Sequence, residues 1–360
     1  MNSLTHLVRP HLSPRYEAAR RDFVNAPRTW LVTGAAGFIG SSLVETLLEL
    51  RQSVVGLDNF ATGHRRNVDA VVGADAERAS RYRFIEGDIR DADCCRAACA
   101  GVDYVLHQAA LGSVPRSIRD PITSAQVNVD GFLNMLVAAR DAAVKRFVYA
   151  SSSSVYGDER TLPQVETKTG RPLSPYAATK VANEMFAAVF QRTYGLETIG
   201  LRYFNVFGPR QDPEGPYAAV IPRWVASLLQ GDACHIFGDG ETSRDFCHIA
   251  NAVQANLLAA VAPSNATETA YNVACNESTS LNQLFAMIRD SIAKSFPHVR
   301  AFSPVYDPFR PGDIARSQAD ISRAGEGLGY RPIYRVGEGL PLVVDWYLGE
   351  HRNPAKETAE

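Results

Sequence analysis

The sequence predicts an α/β fold, a doubly wound Rossmann-type parallel sheet with a smaller mixed C-terminal lobe that binds substrate. Short apolar strands alternate with helical stretches from residue 29 to about residue 208. Apolar strands separated by helices are typical of a parallel sheet that is covered on both faces. A glycine loop joins the first strand to the first of these helices, and after residue 208 prolines interrupt the alternation.

The predicted elements follow one another in a regular order. Strand 30–33 is a short apolar run before the glycine loop, and helix 38–50 has apolar residues spaced to bury one side. Later apolar runs, each ending at polar residues, predict strands 53–57, 82–85, 102–106, 146–149 and 198–201, with the longest helices at 124–143 and 175–194. In such sheets ligands bind outside the carboxyl ends of the strands, so polar residues there are candidate site residues.

The changes of pattern divide the chain of 360 residues into four parts. An N-terminal extension contains a helix that begins near Ser13, which we expect to pack on the outside of the fold, after ten disordered residues. The predicted parts are the extension 1–27, a Rossmann-type domain 28–208, a mainly substrate-binding lobe 209–348 with excursions back to the sheet, and a tail 349–360.

The bulk composition excludes several classes of protein. Hydrophobic residues make up 46% and charged residues 21%, as in an ordinary globular enzyme. A formal net charge of −2 gives no reason to expect nucleic acid or an anionic membrane as partner. No apolar stretch approaches the roughly 20 residues that span a bilayer, and the polar N-terminus is unlike a secretory signal. The six cysteines show no metal-ligand or disulfide pattern, so we expect reduced thiols, no metal and a cytoplasmic location.

The loop Gly34-x-x-Gly37-x-x-Gly40 follows a strand and opens a helix, which is the context of a dinucleotide-binding turn. Glycines let the backbone approach a pyrophosphate, and the helix N-terminus supplies N–H donors and positive potential. Asp58, at the end of the next strand, is placed to accept hydrogen bonds from an adenosine ribose and to repel a 2′-phosphate. These features predict NAD rather than NADP; the alternative is a structural glycine turn with a solvent-facing Asp58.

Two further strand ends contribute candidates. Asp88, followed by Ile89, is placed to receive an adenine amino group, although an aspartate there could equally cap a helix. We expect His107, at the end of the fourth strand, to be a buried structural histidine rather than a catalyst. The segment after it, Gln108, Ala109 and Ala110, contains small residues against which a cofactor can lie.

A serine, a tyrosine and a lysine form the candidate catalytic set. Tyr176 and Lys180 are four residues apart on one face of a predicted helix. An ammonium beside a phenol lowers the pKa of the phenol, which would make Tyr176 a proton acceptor near neutral pH. The serine run 151–154 ends the preceding strand, and alone such hydroxyls would satisfy turn backbone. Together with the Tyr–Lys pair, Ser152 becomes a catalytic candidate.

This set resembles that of the short-chain dehydrogenase/reductase superfamily. The glycine spacing, the chain length and the C-terminal lobe are similar to its extended branch. Segments 202–209, 244–246 and 310–313 resemble nucleotide-sugar epimerases related to UDP-galactose 4-epimerase. Segments 112–117 and 238–246 and the N-terminal helix are closer still to bacterial UDP-N-acetylglucosamine 4-epimerases of surface-polysaccharide pathways. The resemblance runs from about residue 16 to about residue 347.

The resemblance implies roles around the cofactor. Ser152 would hydrogen-bond the sugar 4-oxygen, Tyr176 would be the base, and Lys180 would hold the nicotinamide ribose. Tyr203 and Phe204 would border the nicotinamide. The predicted cofactor-binding set is Gly34, Gly37, Phe38, Ile39, Gly40, Asp58, Asn59, Thr62, Gly63, Asp88, Ile89, Gln108, Ala109, Ala110, Asn128, Tyr176, Lys180 and Tyr203.

The resemblance also implies a UDP-sugar site. Arg244 and Arg310 would bind the diphosphate, because the planar guanidinium group can donate two hydrogen bonds to phosphate oxygens. The alternative for each arginine is a surface salt bridge. Asn205 would contact a phosphate, Val220 and Phe237 would frame the uracil, and Asp313 would bind the uridine ribose. The predicted substrate-binding set is Ser113, Ser152, Ser153, Ser154, Tyr176, Asn205, Ala219, Val220, His235, Ile236, Phe237, Arg244, Arg310, Asp313 and Ser317.

The implied reaction is NAD-dependent C4 epimerisation of a UDP-hexose through a transient 4-ketose. Ser317 lies where family members with a tyrosine exclude N-acetyl groups, so we expect UDP-GlcNAc/UDP-GalNAc interconversion with some activity on UDP-Glc/UDP-Gal. The alternative is a UDP-hexuronate 4-epimerase acting on a UDP-GlcNAc uronate, which would need a cation near C6. Ser153 and Ser154 stand where 4,6-dehydratases carry acids, which argues against dehydration. A non-catalytic dinucleotide sensor is disfavoured because Tyr176 and Lys180 are both present. The family further implies a homodimer through helices 124–143 and 175–194.

Overall fold

A computed structural model describes residues 12–214, 218–309 and 316–352. Its strands are β1 Thr29–Thr33, β2 Ser53–Asp58, β3 Tyr82–Glu86, β4 Tyr104–His107, β5 Arg146–Ser152, β6 Thr198–Tyr203, β7 Asn205–Phe207, β8 His235–Phe237, β9 Ser243–Arg244, β10 Phe246–His248, β11 Thr269–Val273, β12 Thr279–Ser280 and β13 Val305–Asp307. Its helices are α1 Pro14–Asn25, α2 Phe38–Glu49, α3 Arg65–Val72, α4 Ala76–Ser80, α5 Ala92–Cys99, α6 Val114–Arg119, α7 Pro121–Ala125, α8 Gly131–Asp141, α9 Pro175–Tyr194, α10 Val220–Gln230, α11 Ile249–Ala260, α12 Leu281–Ile292, α13 Ser322–Leu328 and α14 Val336–Arg352.

The predicted α/β fold is confirmed. Seven parallel strands form one sheet in the order β11-β6-β5-β4-β1-β2-β3. Helices α1, α2 and α11 bury apolar residues on one face of this sheet, and α5, α8 and α9 do so on the other. Apart from the edge strand β3, the strands are mostly buried on both faces, which explains why they read as continuous apolar runs. The strand β11 comes from beyond residue 208 and lies beside β6.

The extension before the first strand is part of the core. The Ser13 hydroxyl caps α1 by accepting a hydrogen bond from the Tyr16 N–H. Tyr16 and Phe23 are buried, and Phe23 packs edge-on against Trp30 of β1. The helix thus does more than cover the outside of the fold as expected. The first ten residues, for which we expected disorder, lie outside the described residues.

The C-terminal lobe has its own apolar core. Helices α10, α12 and α14 pack around Trp224, Phe285 and Leu340. Short strand pairs connect the lobe: β8 with β13, β9 with β12, and β10 with β7. Among the helices of the described ranges, none has the length and apolar character needed to cross a membrane.

The sheet brings the predicted site residues to one edge. Strands β1, β2, β4, β5 and β6 are parallel neighbours or next neighbours, so their carboxyl ends lie together. Ser152 of β5 stands opposite Tyr203 of β6, and Thr33 of β1 stands opposite His107 of β4. The long predicted helix 124–143 is interrupted: α7 and α8 are joined by a π-helical turn, Gln126–Asp130. Such turns are frequent at functional sites.

Candidate active site

The glycine loop is packed too closely for side chains. A Cβ on Gly40 would lie 1.9 Å from the Gly34 carbonyl oxygen, and one on Gly34 would lie 2.8 Å from the Ala109 nitrogen. Gly34 also has a φ of +69°, which favours glycine. Helix α2 begins directly after Gly37, with no capping side chain at its N-terminus. A close backbone turn leading into an uncapped helix start fits a pyrophosphate.

Asp58 lies over this loop. Its carboxylate accepts hydrogen bonds from the backbone N–H groups of Ala36 at 3.0 Å and Phe60 at 2.8 Å. The side chain is almost fully buried, so the alternative of a solvent-facing aspartate is wrong. Burial raises the pKa of Asp58, and the backbone hydrogen bonds partly offset that rise.

The segment after Asp58 covers the loop. Gly63 packs so closely that a Cβ there would lie 2.7 Å from the Ala36 carbonyl carbon. Asn59 donates from Nδ2 to the Asp88 carboxylate at 2.9 Å, while Thr62 is exposed. These contacts join the ends of β2 and β3, where the sequence predicts the adenosine.

Asp88 is held as a carboxylate. Arg90 donates to it from Nε at 3.0 Å and from Nη2 at 2.6 Å. This hydrogen-bonded pair lowers the pKa of Asp88 to about 2. The cap of α5 is Asp91, so the helix-capping alternative for Asp88 is not observed. Ile89 is buried beside α8.

The end of β4 carries a structural histidine and a polar cluster. His107 is buried between Phe132 and Phe147, and its Nδ1 lies 2.9 Å from Thr33 Oγ1. Burial lowers the pKa of His107 to about 3, so the ring is neutral, as expected for a structural residue. Ala109 and Ala110 are half-buried at the edge of the site.

Gln108, Tyr203 and Asn256 form this polar cluster. The Tyr203 hydroxyl donates to Gln108 Oε1 at 3.0 Å and accepts from Asn256 Nδ2 at 2.7 Å. Gln108 Nε2 donates in turn to Asn256 Oδ1 at 3.1 Å. Burial raises the pKa of Tyr203, so it stays a neutral phenol. No sequence pattern singles out Asn256; the available signal is that it is one of three polar residues in the mainly apolar helix α11.

Asn128, in the π-helical turn, connects two segments of the site through its side chain. Its side chain accepts from the Leu111 N–H at 2.8 Å and donates to the Leu111 carbonyl at 3.2 Å. It also donates to Thr179 Oγ1 on α9 at 3.2 Å. Asn128 therefore ties the loop after β4 to the helix that carries Tyr176 and Lys180.

The structure brings the predicted catalytic set together. The Tyr176 hydroxyl is hydrogen-bonded to Ser152 at the end of β5. Lys180 Nζ lies 5.9 Å from the centre of the Tyr176 ring and donates to the Ala150 carbonyl at 2.8 Å. The Tyr176 backbone N–H donates to the buried Ser117 Oγ at 3.0 Å, which fixes the start of α9.

The electrostatics of this set differ from the expectation. Burial raises the pKa of Tyr176, and the hydrogen bond with Ser152 opposes the rise only in part. Burial also lowers the pKa of Lys180 to about 8, against the attraction of Glu184. The prediction that Lys180 lowers the pKa of Tyr176 is therefore wrong for this structure. Removing two groups from water penalises both charged forms, and here that effect is the larger one.

The serine residues near Tyr176 have different environments. Ser153 and Ser154 begin a 3₁₀ turn, Ser153–Tyr156, after the strand. The Ser154 hydroxyl is buried and has no hydrogen-bond partner among the described residues. Ser113 caps helix α6 by accepting from the Arg116 N–H at 3.2 Å.

Most predicted substrate residues lie on the lobe side of the site. Ala219 and Val220 are half-buried at the start of α10, and Phe237 is half-buried at the end of β8. Asn205 is exposed, whereas Phe204 is buried against Tyr156.

Two residues of β8 have other partners. His235 Nδ1 lies 2.9 Å from the Asp307 carboxylate. The Ile236 side chain is fully buried in the lobe core, so the prediction that it contacts substrate is wrong for its side chain.

Arg244 and Ser317 are brought close by backbone pairing. The Ser317 N–H donates to the Ser243 carbonyl at 3.1 Å, one residue before Arg244, and Ser317 is buried. Arg244 Nη1 donates to the same carbonyl at 2.8 Å. The other predicted contacts, Arg310 and Asp313, lie outside the described residues.

Asp245 connects the segments around Arg244 and Ser317. It is fully buried and accepts from the N–H groups of Cys275 at 2.8 Å, Ala319 at 3.1 Å and Glu277 at 3.2 Å. Burial raises the pKa of Asp245 to about 7 despite these donors. It connects three segments that are distant in sequence and so places Arg244 beside Ser317. The motif 244–246 is visible in the sequence, but nothing local indicates this role.

Comparison with known proteins identifies the family. The model of the NAD dependent epimerase/dehydratase family matches residues 30–274. The chain belongs to this family. Its cofactor is NAD, as the glycine loop and Asp58 predict, and the resemblance to extended short-chain dehydrogenase/reductases is confirmed.

Several relatives of this epimerase/dehydratase family cover nearly the whole chain. A UDP-glucose 4-epimerase of Mycolicibacterium smegmatis is 37% identical over 319 residues, 88% of this chain and 97% of that protein. A solved UDP-N-acetylglucosamine 4-epimerase from Methanobrevibacter ruminantium, in complex with UDP-N-acetylmuramic acid, is 36% identical with a TM-score of 0.82. A UDP-glucose 4-epimerase from Thermotoga maritima, solved with UDP-glucose, is 35% identical with a TM-score of 0.82. Each of these two structures covers 90% of this chain and 99% of its own.

Proposed function

We propose that this member of the epimerase/dehydratase family is a UDP-sugar 4-epimerase, with UDP-GlcNAc/UDP-GalNAc as its preferred pair. The observation that carries the proposal is the Tyr176 hydroxyl, which is bonded to Ser152 beside the Lys180 ammonium at the carboxyl end of β5. The similarity to 4-epimerases along nearly the whole chain supports the same reaction. Activity on UDP-Glc/UDP-Gal would accompany the main one.

The residues of this chain handle the proton at the sugar 4-oxygen. Tyr176 is a neutral phenol at rest, so it must first lose its own proton to solvent. The phenolate then accepts the 4-hydroxyl proton and returns it to the same oxygen after the 4-ketose has turned its other face. Ser152 hydrogen-bonds that oxygen and the tyrosine together, which aligns donor and acceptor. NAD, when bound, supplies the hydride chemistry at C4. The cycle consumes neither proton nor hydride.

Burial sets the character of this site. Because it raises the pKa of Tyr176, the phenolate is a strong base once formed. Lys180, with a pKa of about 8, is still mostly an ammonium at neutral pH. One of its three N–H donors goes to the Ala150 carbonyl. The others can hold the nicotinamide ribose and the tyrosine oxygen.

The two positions after Ser152 do not carry the acids that a dehydratase uses there. Ser153 and Ser154 occupy the two positions after Ser152, and neither hydroxyl exchanges a proton near neutral pH. Loss of water from C5 and C6 would need a proton donor and an acceptor there. Epimerisation needs only the single proton that Tyr176 carries.

Ser317 supports the preference for an N-acetylated sugar. It lies beside the backbone that leads into Arg244, the proposed diphosphate ligand. A serine is small, so it leaves space next to the sugar where a tyrosine would fill it. The product UDP-GalNAc would then serve as a building block for surface polysaccharide.

One experiment separates the candidate functions. Purified protein is incubated with UDP-Glc, UDP-GlcNAc and the corresponding uronates, and the epimers are followed by proton NMR. We expect the fastest conversion with UDP-GlcNAc. Faster conversion of a uronate would establish the hexuronate alternative. If no substrate gives an epimer and the bound cofactor is not reduced, the alternative of a non-catalytic dinucleotide sensor would be supported instead.

We also propose a homodimer. Helices α7 and α9 contact each other and expose large apolar side chains, among them Ile122 and Met185. An exposed apolar face of this kind marks an interaction surface. Light scattering should give twice the chain mass, and Ile122→Glu with Met185→Glu should give the monomer; a monomeric wild type would contradict the proposal.

A further inference from the structure

Three residues of helix α9, spaced four positions apart, contact the end of β5. Tyr176 is hydrogen-bonded to Ser152, and Lys180 donates to the Ala150 carbonyl. One helical turn further on, Glu184 accepts from the Ser151 hydroxyl at 2.5 Å. These helix residues follow at intervals of four, and so they lie on one face.

The Glu184 carboxylate is fixed from a second strand. Arg202 of β6, which stands opposite Ser151, donates to it from Nε at 2.9 Å and from Nη2 at 2.7 Å. Arg202 is nearly fully buried, and its Nη1 donates to Tyr156 Oη at 3.2 Å and to the Glu166 carbonyl at 3.1 Å. A bidentate guanidinium with this many partners allows the carboxylate one position.

We propose that Glu184 is a positioning residue, whose carboxylate locks α9 against the end of β5 and keeps Lys180 charged during the reaction. The inference rests on the proposed function, since it assigns Lys180 the role described there. Glu184 does not touch the sugar or the cofactor in this scheme. It acts through Lys180 and through Ser151, the strand residue just before Ser152.

The charges around Lys180 support this role. Glu184 is the charged neighbour that raises the pKa of Lys180, against the larger effect of burial. His107 faces Lys180 from β4 but is neutral, because burial lowers its pKa to about 3. Tyr176 and, on β5, Tyr149 have pKa values raised by burial and are neutral phenols at rest.

The other side of the ion pair faces a small polar cavity. Its volume is about 140 Å³, and its charged lining residues besides Glu184 and Arg202 are Glu166, Glu268 and Arg323. Lys180 does not line this space and is itself buried. The carboxylate therefore acts on Lys180 across protein rather than across bulk water, where its effect would be weak.

The test is the titration of Lys180 itself. The chain has five lysines, so protein labelled with ¹³C-lysine gives few signals, and Lys180→Arg assigns the relevant one. Glu184→Gln keeps the size of the side chain and removes its charge. In this variant the midpoint of the Lys180 titration should fall by about one pH unit. The alkaline limb of the kcat profile should move with it, and KM for the UDP-sugar should change little.

Two matched variants separate this role from a structural one. Glu184→Asp keeps the charge but shortens the reach, so kcat should fall while the Lys180 midpoint stays near wild type. Glu197→Gln breaks the Arg146–Glu197 pair at the opposite end of the same two strands, where Arg146 Nε donates at 2.9 Å. That variant should lose stability without any change in the Lys180 midpoint.

The outcomes are distinct. An unchanged Lys180 midpoint in Glu184→Gln, or an equal shift in Glu197→Gln, overturns the inference. If Glu184→Gln does not fold, Glu184→Gln with Arg202→Gln removes both charges, and the midpoint should still lie below wild type. The titration needs no turnover. A wild type that forms no epimer therefore refutes the proposed function alone, whereas an active enzyme with an unmoved midpoint refutes only the role of Glu184.

Discussion

Replacing Gly40 by alanine tests the cofactor loop most directly. The added Cβ would lie 1.9 Å from the Gly34 carbonyl oxygen, 2.6 Å from the Gly34 carbonyl carbon and 3.1 Å from the Ala35 Cα. All three neighbours are backbone atoms of the turn between β1 and α2, so no side-chain rotation relieves the contact. The turn and the helix start must move apart by at least about 1 Å in a close-packed interior.

The magnitude follows from the cost of overpacking. Shifts of this kind cost about 1–3 kcal/mol, and a backbone clash belongs at the upper end. The same movement displaces the backbone N–H groups at the start of α2. Because these groups are the donors for the pyrophosphate, binding of NAD is weakened. If about 3 kcal/mol must be recovered on binding, affinity for NAD falls by about 100-fold.

The assay compares bound cofactor and melting temperature in three proteins. Wild type, Gly40→Ala and Gly337→Ala are purified identically, and NAD released on denaturation is quantified by absorbance. Gly337 lies in the first turns of α14, and a Cβ there meets nothing within 4 Å. Its substitution should be neutral or slightly stabilising, by at most about 1 kcal/mol. Gly40→Ala with full NAD content and an unchanged melting temperature would refute the reasoning about the loop.

Three further changes test the catalytic group, the sugar preference and the response to pH. Tyr176→Phe removes the proton acceptor and should lower turnover by at least about 100-fold while NAD stays bound; unchanged turnover in the NMR assay would contradict its role as base. Ser317→Tyr should slow UDP-GlcNAc at least about 10-fold relative to UDP-Glc, whereas equal loss on both sugars would count against steric selection. Burial lowers the pKa of His107 and of His248 to about 3, so both are neutral in the fold and their contribution to stability is lost as the pH falls from about 6.5 toward 3. The melting temperature should drop over this range, and less steeply in His107→Asn; Asp245, with its pKa raised to about 7, contributes with the opposite sign but equally in both proteins. Equal slopes would show that His107 is not held neutral.

Much of the fold is readable from local patterns. The strand and helix order up to residue 208 is predicted well, and α9 has the predicted limits because Pro175 and Gly195 mark its two ends. Local sequence patterns predict the structure less well where contacts between distant residues determine it. The helix expected at 124–143 contains a π-helical turn, and there Asn128 reaches both the loop after β4 and α9.

The candidate site shows the same division. Gly40 and Asp58 are predictable because turn geometry and strand ends follow from spacing over a few residues. Asn256, Asp245 and Glu184 are not, since each acts through partners that are far away in sequence.

By itself, then, the sequence determines the α/β alternation, the NAD loop and the pairing of Tyr176 with Lys180 on one helical face, because these depend on residues within one turn or one strand. The tertiary structure alone decides how water is excluded from that pair. Burial among strands and helices raises the pKa of Tyr176 and lowers that of Lys180. It also places Glu184 against Ser151 and Arg202, a contact set by the register of β5 and β6 that no local spacing encodes.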